Sequence, residues 1–145
     1  MRRQLDLRAA AAILADRDVT MTEVAARLGV AKPTLYKLAS SRDELVRRCV
    51  ETEAERLLGH LHEHEATPAG VLRAVEGYAR DSPGGFRLLC ERRAAEAEGA
   101  LRRLESRLGE LARSDDLRGA ALLGGAVAVV SRALADGLAI DAAAY

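Results

Sequence analysis

Residues 20–45 read TMTEVAARLGVAKPTLYKLASSRDEL. Thr20-Met21-Thr22-Glu23 has the form of a capping box. The Thr20 hydroxyl accepts from the Glu23 N–H, and the Glu23 carboxylate reaches back to the Thr20 N–H. A short helix over 21–28 follows and stops at Gly29, a residue suited to a left-handed helix end. Val30-Ala31 completes a tight turn. A third helix opens at Lys32-Pro33, where proline is tolerated because first-turn N–H groups have no helical partner, and it runs to about Leu38. Ser41-Arg42-Asp43-Glu44 is a second capping box, starting a longer helix through Leu45, Cys49 and Thr52 toward Leu58.

Two short helices joined by a glycine-containing turn form a helix-turn-helix. Ala25 is small where the two helices must approach, Val30 plugs the angle between them, and Val24, Leu28, Leu35 and Leu38 supply their shared core. Lys32, Thr34, Tyr36 and Lys37 are left facing outward, and Pro33 beside them is counted with the DNA-binding candidates. A helix in the major groove presents its N-terminal residues to base edges and its flanks to phosphate. Thr suits a base edge or a thymine methyl, whereas Lys and the Tyr hydroxyl suit phosphate. Lys32 and Lys37 are the only lysines of the chain, and both fall on this helix.

The 145 residues carry 22 basic and 22 acidic side chains, a balance that by itself argues against a charged partner. The zero is a sum of unequal parts. Residues 1–50 hold ten basic against six acidic side chains, and the other 95 hold twelve against sixteen. A positive N-terminal third on a negative remainder points to a polyanion met at that end.

The segment resembles the DNA-binding domain of TetR-family transcriptional regulators. It matches in Thr20, in Val24-Ala25 with Gly29-Val30, and in Thr34-Leu35-Tyr36, over roughly residues 5–56. The resemblance continues through Tyr78-Ala79 and residues 81–86. It implies that Lys32 and Thr34 face the groove, with Tyr36 and Lys37 on phosphate. Thr20 and Thr22 at the start of the second helix join the DNA-binding set. Arg42, where Lys is usual, is implied to hold phosphate at the start of the fourth helix. Two departures stand out. Ala39 occupies a position that is usually aromatic, and the C-terminal half is shorter than is usual. The partner implied is double-stranded DNA bound by a homodimer at a palindrome, with a repressor role and a possible small apolar effector. No cofactor is implied.

Outward from this segment the chain continues as helices. Ala is abundant (29 residues) while Pro is scarce and Trp absent, which favours helix over sheet. Leu5, Ala9, Ala12 and Ile13 predict an amphipathic first helix over about 3–16. Thr67-Pro68-Ala69-Gly70 starts another, leading to Tyr78 and Ala79, and Asp81-Ser82-Pro83-Gly84-Gly85 reads as a strong breaker. Phe86 to about Arg113 forms one helix or two, with Gly99 as the weak point. Ser114-Asp115 caps a last helix over about 116–138, before a tail expected to fray. The expectation is an all-α chain of about eight helices: a three-helix DNA-binding domain over 1–45 and a small regulatory and dimerisation bundle over 46–145.

Other candidate sites read two ways. His60 and His64 share a helical face, but two ligands do not complete a metal site, so a solvated helix end is preferred and no metal is expected. Cys49 and Cys90 are either exposed redox thiols or, as their apolar faces favour, buried small hydrophobes. Tyr78, Phe86, Leu89 and Cys90 line an effector pocket or fill a plain core. Leu101, Leu104, Leu108 and Leu111, with Ala120, Gly124 and Ala128, form a dimer interface or close the monomer. A dimerising helical module that has lost DNA binding is the alternative function. No nucleophile–base constellation or phosphate loop suggests an enzyme. Asp6 and Arg8 interrupt any secretory leader, and the longest nearly uncharged stretch, residues 119–131, is short of a bilayer span. A cytoplasmic protein without a membrane partner is expected.

Overall fold

The computed structural model describes residues 6–16, 18–91 and 95–145. Among these, eight α-helices run in the order α1 (Leu7–Leu14), α2 (Met21–Leu28), α3 (Lys32–Leu38), α4 (Arg42–His62), α5 (Pro68–Asp81), α6 (Pro83–Phe86), α7 (Ala95–Leu111) and α8 (Asp116–Asp136), with no strand. The first helix starts later than the periodicity predicts. Asp6 caps it instead, accepting from the N–H groups of Arg8 (2.9 Å) and Ala9 (3.3 Å), and residues 1–5 lie outside the described set.

The capping signals place most other starts. Thr20 accepts from the Glu23 N–H at 3.2 Å, and Glu23 accepts from the Thr20 N–H at 3.0 Å. Ser41, Thr67 and Asp115 likewise accept from the N–H groups of Glu44, Gly70 and Arg118. The second box closes one residue early, because the Glu44 carboxylate accepts from the Ser40 N–H (2.7 Å) rather than that of Ser41. Gly29 ends α2 in the left-handed region (φ 68°), with the Val30 N–H on the Ala25 carbonyl at 3.1 Å.

Five expectations change from α4 onward. The fourth helix continues one turn past Leu58 to His62, because Leu57 and Leu61 are both buried on its inner row. The Asp81–Gly85 breaker interrupts helix for a single residue, Ser82. α6 restarts at Pro83 and passes into a π-helical turn, Arg87–Glu91, so Phe86 belongs to α6 and not to a long helix. Gly99 lies inside α7 and does not break it. The last helix ends at Asp136 because Gly137 turns left-handed (φ 65°). The tail is anchored: Asp141 caps a 3-10 turn over Ala142–Ala144, and Ala142 is buried.

α7, α8, α5 and α4 pack as a bundle, and α1 leans on both α4 and α6. α2 and α3 attach through α1 and α2. One continuous apolar cluster runs from Ala10 through Leu35, Leu57, Phe86 and Leu108 to Ala142. The leucine stripe of α7 is absorbed here, with Leu101, Leu104 and Leu108 buried in the monomer. By length and composition α8 is apolar enough to cross a membrane. In this fold its inner residues Leu122, Leu123, Ala126, Val127 and Val130 pack into the bundle.

Both cysteines are buried. Cys49 donates to the Leu7 carbonyl at 3.6 Å. Burial, and secondarily the charge of Glu53, pushes its thiol up to about 12. A thiol whose pKa is raised by folding adds stability below the unfolded-state value and loses it as pH rises toward the folded one. Denaturant titrations are therefore expected to show stability falling between about pH 9 and pH 12, and a Cys49→Ala chain to fall less over that window. Iodoacetamide at pH 8 should label Cys49 only after unfolding, because thiolate is the reactive form.

Candidate nucleic-acid interface

The shortness of α3 makes it a reading surface. Of its seven residues only Leu35 is fully buried, held in the core against α2, so the rest of the helix is offered outward. Lys32, Pro33, Thr34, Tyr36 and Lys37 are all exposed, Tyr36 by 42%. Neither lysine makes an ion pair or hydrogen bond among the described residues; the Lys32 ammonium stands 5.9 Å from the Tyr36 ring centroid. Two unpaired ammonium groups and a phenol on one short helix form a cationic edge with a neutral centre at Thr34.

The flanks are set by backbone caps. Thr20 and Thr22 are exposed at the start of α2, where Thr20 keeps its hydroxyl proton free to donate while its oxygen caps the helix. At the other flank Ala39 is buried in extended conformation (φ −143°, ψ 127°) and ends α3. Its small side chain lets the chain turn close to the core.

Arg42 behaves differently from the lysines. It is half-buried, its Nε donates to the Val19 carbonyl at 2.9 Å and its Nη2 to the Asp16 carbonyl at 3.4 Å. The guanidinium therefore ties the start of α4 to the loop between α1 and α2, one residue before the Thr20 cap. The neighbouring Glu44 is neutralised locally. Hydrogen bonds from Ser40, side chain first and then backbone, hold its carboxyl below the usual range, and Arg48 stands at 3.6 Å.

The residues considered for an effector pocket are placed together but close-packed. Tyr78, Phe86, Leu89 and Cys90 are all buried, with the Tyr78 and Phe86 rings edge to face at 6.4 Å. Tyr78 also reaches a cleft of about 190 Å³ beside Arg56, His60 and Asp81. His60 Nε2 lies 3.0 Å from Asp81 Oδ2, and His64 falls beyond the end of α4, off the face shared by an unbroken helix. Among the described residues no three His, Cys, Asp or Glu side chains converge on a metal-sized site.

A family model of bacterial regulatory proteins of the tetR family matches residues 7–49, which span α1 to the first half of α4. The whole fold is similar to the crystal structure of a TetR-like transcriptional regulator from Rhodococcus sp. RHA1, at 28% identity and a TM-score of 0.71, covering 95% of this chain and 86% of that one. Residues 7–49 are thus a TetR-family DNA-binding domain, and the fold around them is TetR-like. No curated protein matches the chain. As a TetR-type regulator it carries the helix-turn-helix in α2 and α3, and the α5–α8 bundle completes a likeness that extends well beyond the matched domain.

One buried acidic residue escaped the reading of the sequence. Glu53 is 0% exposed in the middle of α4. Its signal was legible: Leu45, Cys49, Glu53, Leu57 and Leu61 form a single i, i+4 row, and a carboxylate on an otherwise apolar row must find partners inside the fold.

Proposed function

We propose that this chain is a homodimeric transcriptional repressor of the cytoplasm that binds a palindromic operator through α3. The observation that carries this is the pair of unpaired lysines flanking Thr34 and Tyr36 on the exposed helix of a TetR-type domain. Lys32 and Thr34 enter the major groove. Tyr36, Lys37, Thr20 and Thr22 hold the flanking phosphates, and Arg42 meets phosphate at the start of α4. Residues 1–45 act as the reading unit and residues 46–145 as the regulatory and dimerisation unit. Selection of bound sequences from random duplexes, followed by mobility-shift titration at several salt concentrations, tests the reading. A recovered palindrome with salt-dependent affinity supports it, and no binding at low salt favours a dimerising module without DNA.

The dimer is assigned to the outer face of α8. With the α7 leucines absorbed in the core, Leu117 (79% exposed), Ala121, Gly125 and Ala128 remain as an open row of small and apolar residues. A Cβ at Gly124 or Gly125 would meet nothing within 4 Å, which leaves room for a second helix. Gly125→Glu is expected to turn the dimer into a monomer by light scattering, with half-site binding retained and palindrome binding weakened.

Release by a small apolar effector completes the proposal. An effector at Tyr78, Phe86, Leu89 and Cys90 has to open a packed core. Between α5 and α8 a cleft of about 210 Å³ lined by Pro68, Leu72 and Val129 is already open in the single chain, and it borders the proposed dimer face at Ala121 and Gly125.

A further inference from the structure

The junction of α1, α4, α5 and α6 encloses a carboxylate that the DNA-facing surface does not use. Glu53 Oε2 accepts from the Tyr78 hydroxyl at 2.8 Å and from the Ser82 hydroxyl at 2.9 Å. Glu53 Oε1 lies 3.7 Å from Arg56 Nε and has no hydrogen-bond partner among the described residues. Burial first, and then the charge and hydrogen bond of Glu53, hold the Tyr78 hydroxyl protonated far above its ordinary range, so it remains a donor.

Two glycines make this approach possible. A Cβ on Gly85 would overlap the Glu53 carboxylate, and a Cβ on Gly84 would overlap Ala12 of α1. The corner between α5 and α6 thus touches both helices that carry the reading unit, α1 through Gly84 and α4 through Gly85. An apolar residue at position 53 would fill the same space without the cost of burying a carboxylate. It would also let the helices slide, whereas two hydrogen bonds to one oxygen fix a distance and an angle.

We propose that Glu53 is a positioning residue for DNA binding. Its hydrogen bonds to Tyr78 and Ser82 fix α4, and with it Arg42 and, by way of α1 and α2, α3, at one angle to the α5–α8 bundle. The proposal rests on the DNA-binding reading above. In a dimer assembled through the bundle, that angle sets the separation of the two recognition helices. Loosening it leaves each helix able to bind but removes the preorganisation that lets both bind together.

The test uses the full chain, the selected palindrome, its isolated half-site, and duplexes with the half-sites moved by one base pair either way. Tyr78→Phe and Ser82→Ala each remove one hydroxyl. Glu53→Gln keeps a carbonyl oxygen for both. Tyr78→Phe and Ser82→Ala are expected to lose about tenfold on the palindrome, the equivalent of one buried hydrogen bond. Their half-site affinity and far-UV circular dichroism should stay as in the wild type, and their preference among spacings should flatten. Glu53→Gln should retain both affinity and spacing preference at near wild-type values. Palindrome affinity and spacing preference unchanged in folded Tyr78→Phe and Ser82→Ala would overturn the proposal. Equal losses on half-site and palindrome would overturn it too. If Tyr78→Phe does not fold, Ser82→Ala, which removes a single hydroxyl at a corner, decides the matter alone. A wild-type chain that binds no duplex overturns the DNA-binding reading and this proposal with it.

Discussion

Replacing Lys32 and Lys37 together by alanine is expected to lower affinity for the selected duplex at least about a hundredfold at 50 mM salt. Each phosphate neutralised by a cation contributes a slope of about −0.9 to the dependence of log K on log salt. Two such contacts per chain are worth about two orders of magnitude between 1 M and 50 mM salt. The same variant should flatten the salt slope by about two per bound chain, and its affinity should approach that of the wild type at high salt. The fold should be unaffected, because both side chains are exposed and neither makes an ion pair or hydrogen bond among the described residues. Mobility-shift titrations over a salt series measure all of this. An unchanged slope would remove the lysines from the interface. Thr34→Ala offers a contrast, since a base-edge contact should relax sequence preference at one position while leaving the salt slope alone.

Gly119→Val is expected to be the most damaging single change in the bundle. A Cβ at Gly119 would overlap the backbone carbonyl of Glu105, one helix away, and crowd the Gly109 N–H. Gly109 has the reciprocal constraint, because its own Cβ would strike the Asp115 carbonyl. The two glycines set the approach of α7 and α8, and the obstacle is backbone rather than a mobile side chain. Overpacking a tight site typically costs about 1–3 kcal/mol and occasionally more. With the helices forced apart, the upper end is expected, and about 3 kcal/mol corresponds to a fall in Tm of about 10 °C for a chain of this size. Denaturant unfolding at fixed protein concentration measures it. Gly59→Ala is the control: the glycine is exposed inside α4 with nothing within 4 Å of a Cβ, so alanine should stabilise by up to about 1 kcal/mol.

What the residues disclosed in advance was local. Thr20 with Glu23, Ser41, Thr67 and Asp115 are caps whose partners lie within a few residues, so their helix starts needed no tertiary knowledge. Gly29 was equally local. The misreadings came where a residue serves a distant partner. Gly84 and Gly85 look like a breaker in isolation, but they are close-approach positions for Ala12 and Glu53. Leu57 and Leu61 extend α4 because both are buried where α4 packs in the bundle. Arg42 reads as a phosphate contact at a helix start, and nothing overturns that; what the local pattern does not reveal is its tie to the Asp16 and Val19 carbonyls, more than twenty residues away in sequence. The outward residues of α3 were legible because a helix this short has room for one buried face only.

The continuity of α4 from Arg42 to His62 has a mechanical consequence. Glu53 sits near its middle and acts as a pivot, with Arg42 eleven residues away along the rod. At 1.5 Å rise per residue that arm is about 16 Å long, so a tilt of about 10° about Glu53 carries the Arg42 end by about 3 Å. That displacement is about the length of a hydrogen bond, enough to move a reading helix out of register with its groove while the bundle at the other end scarcely moves.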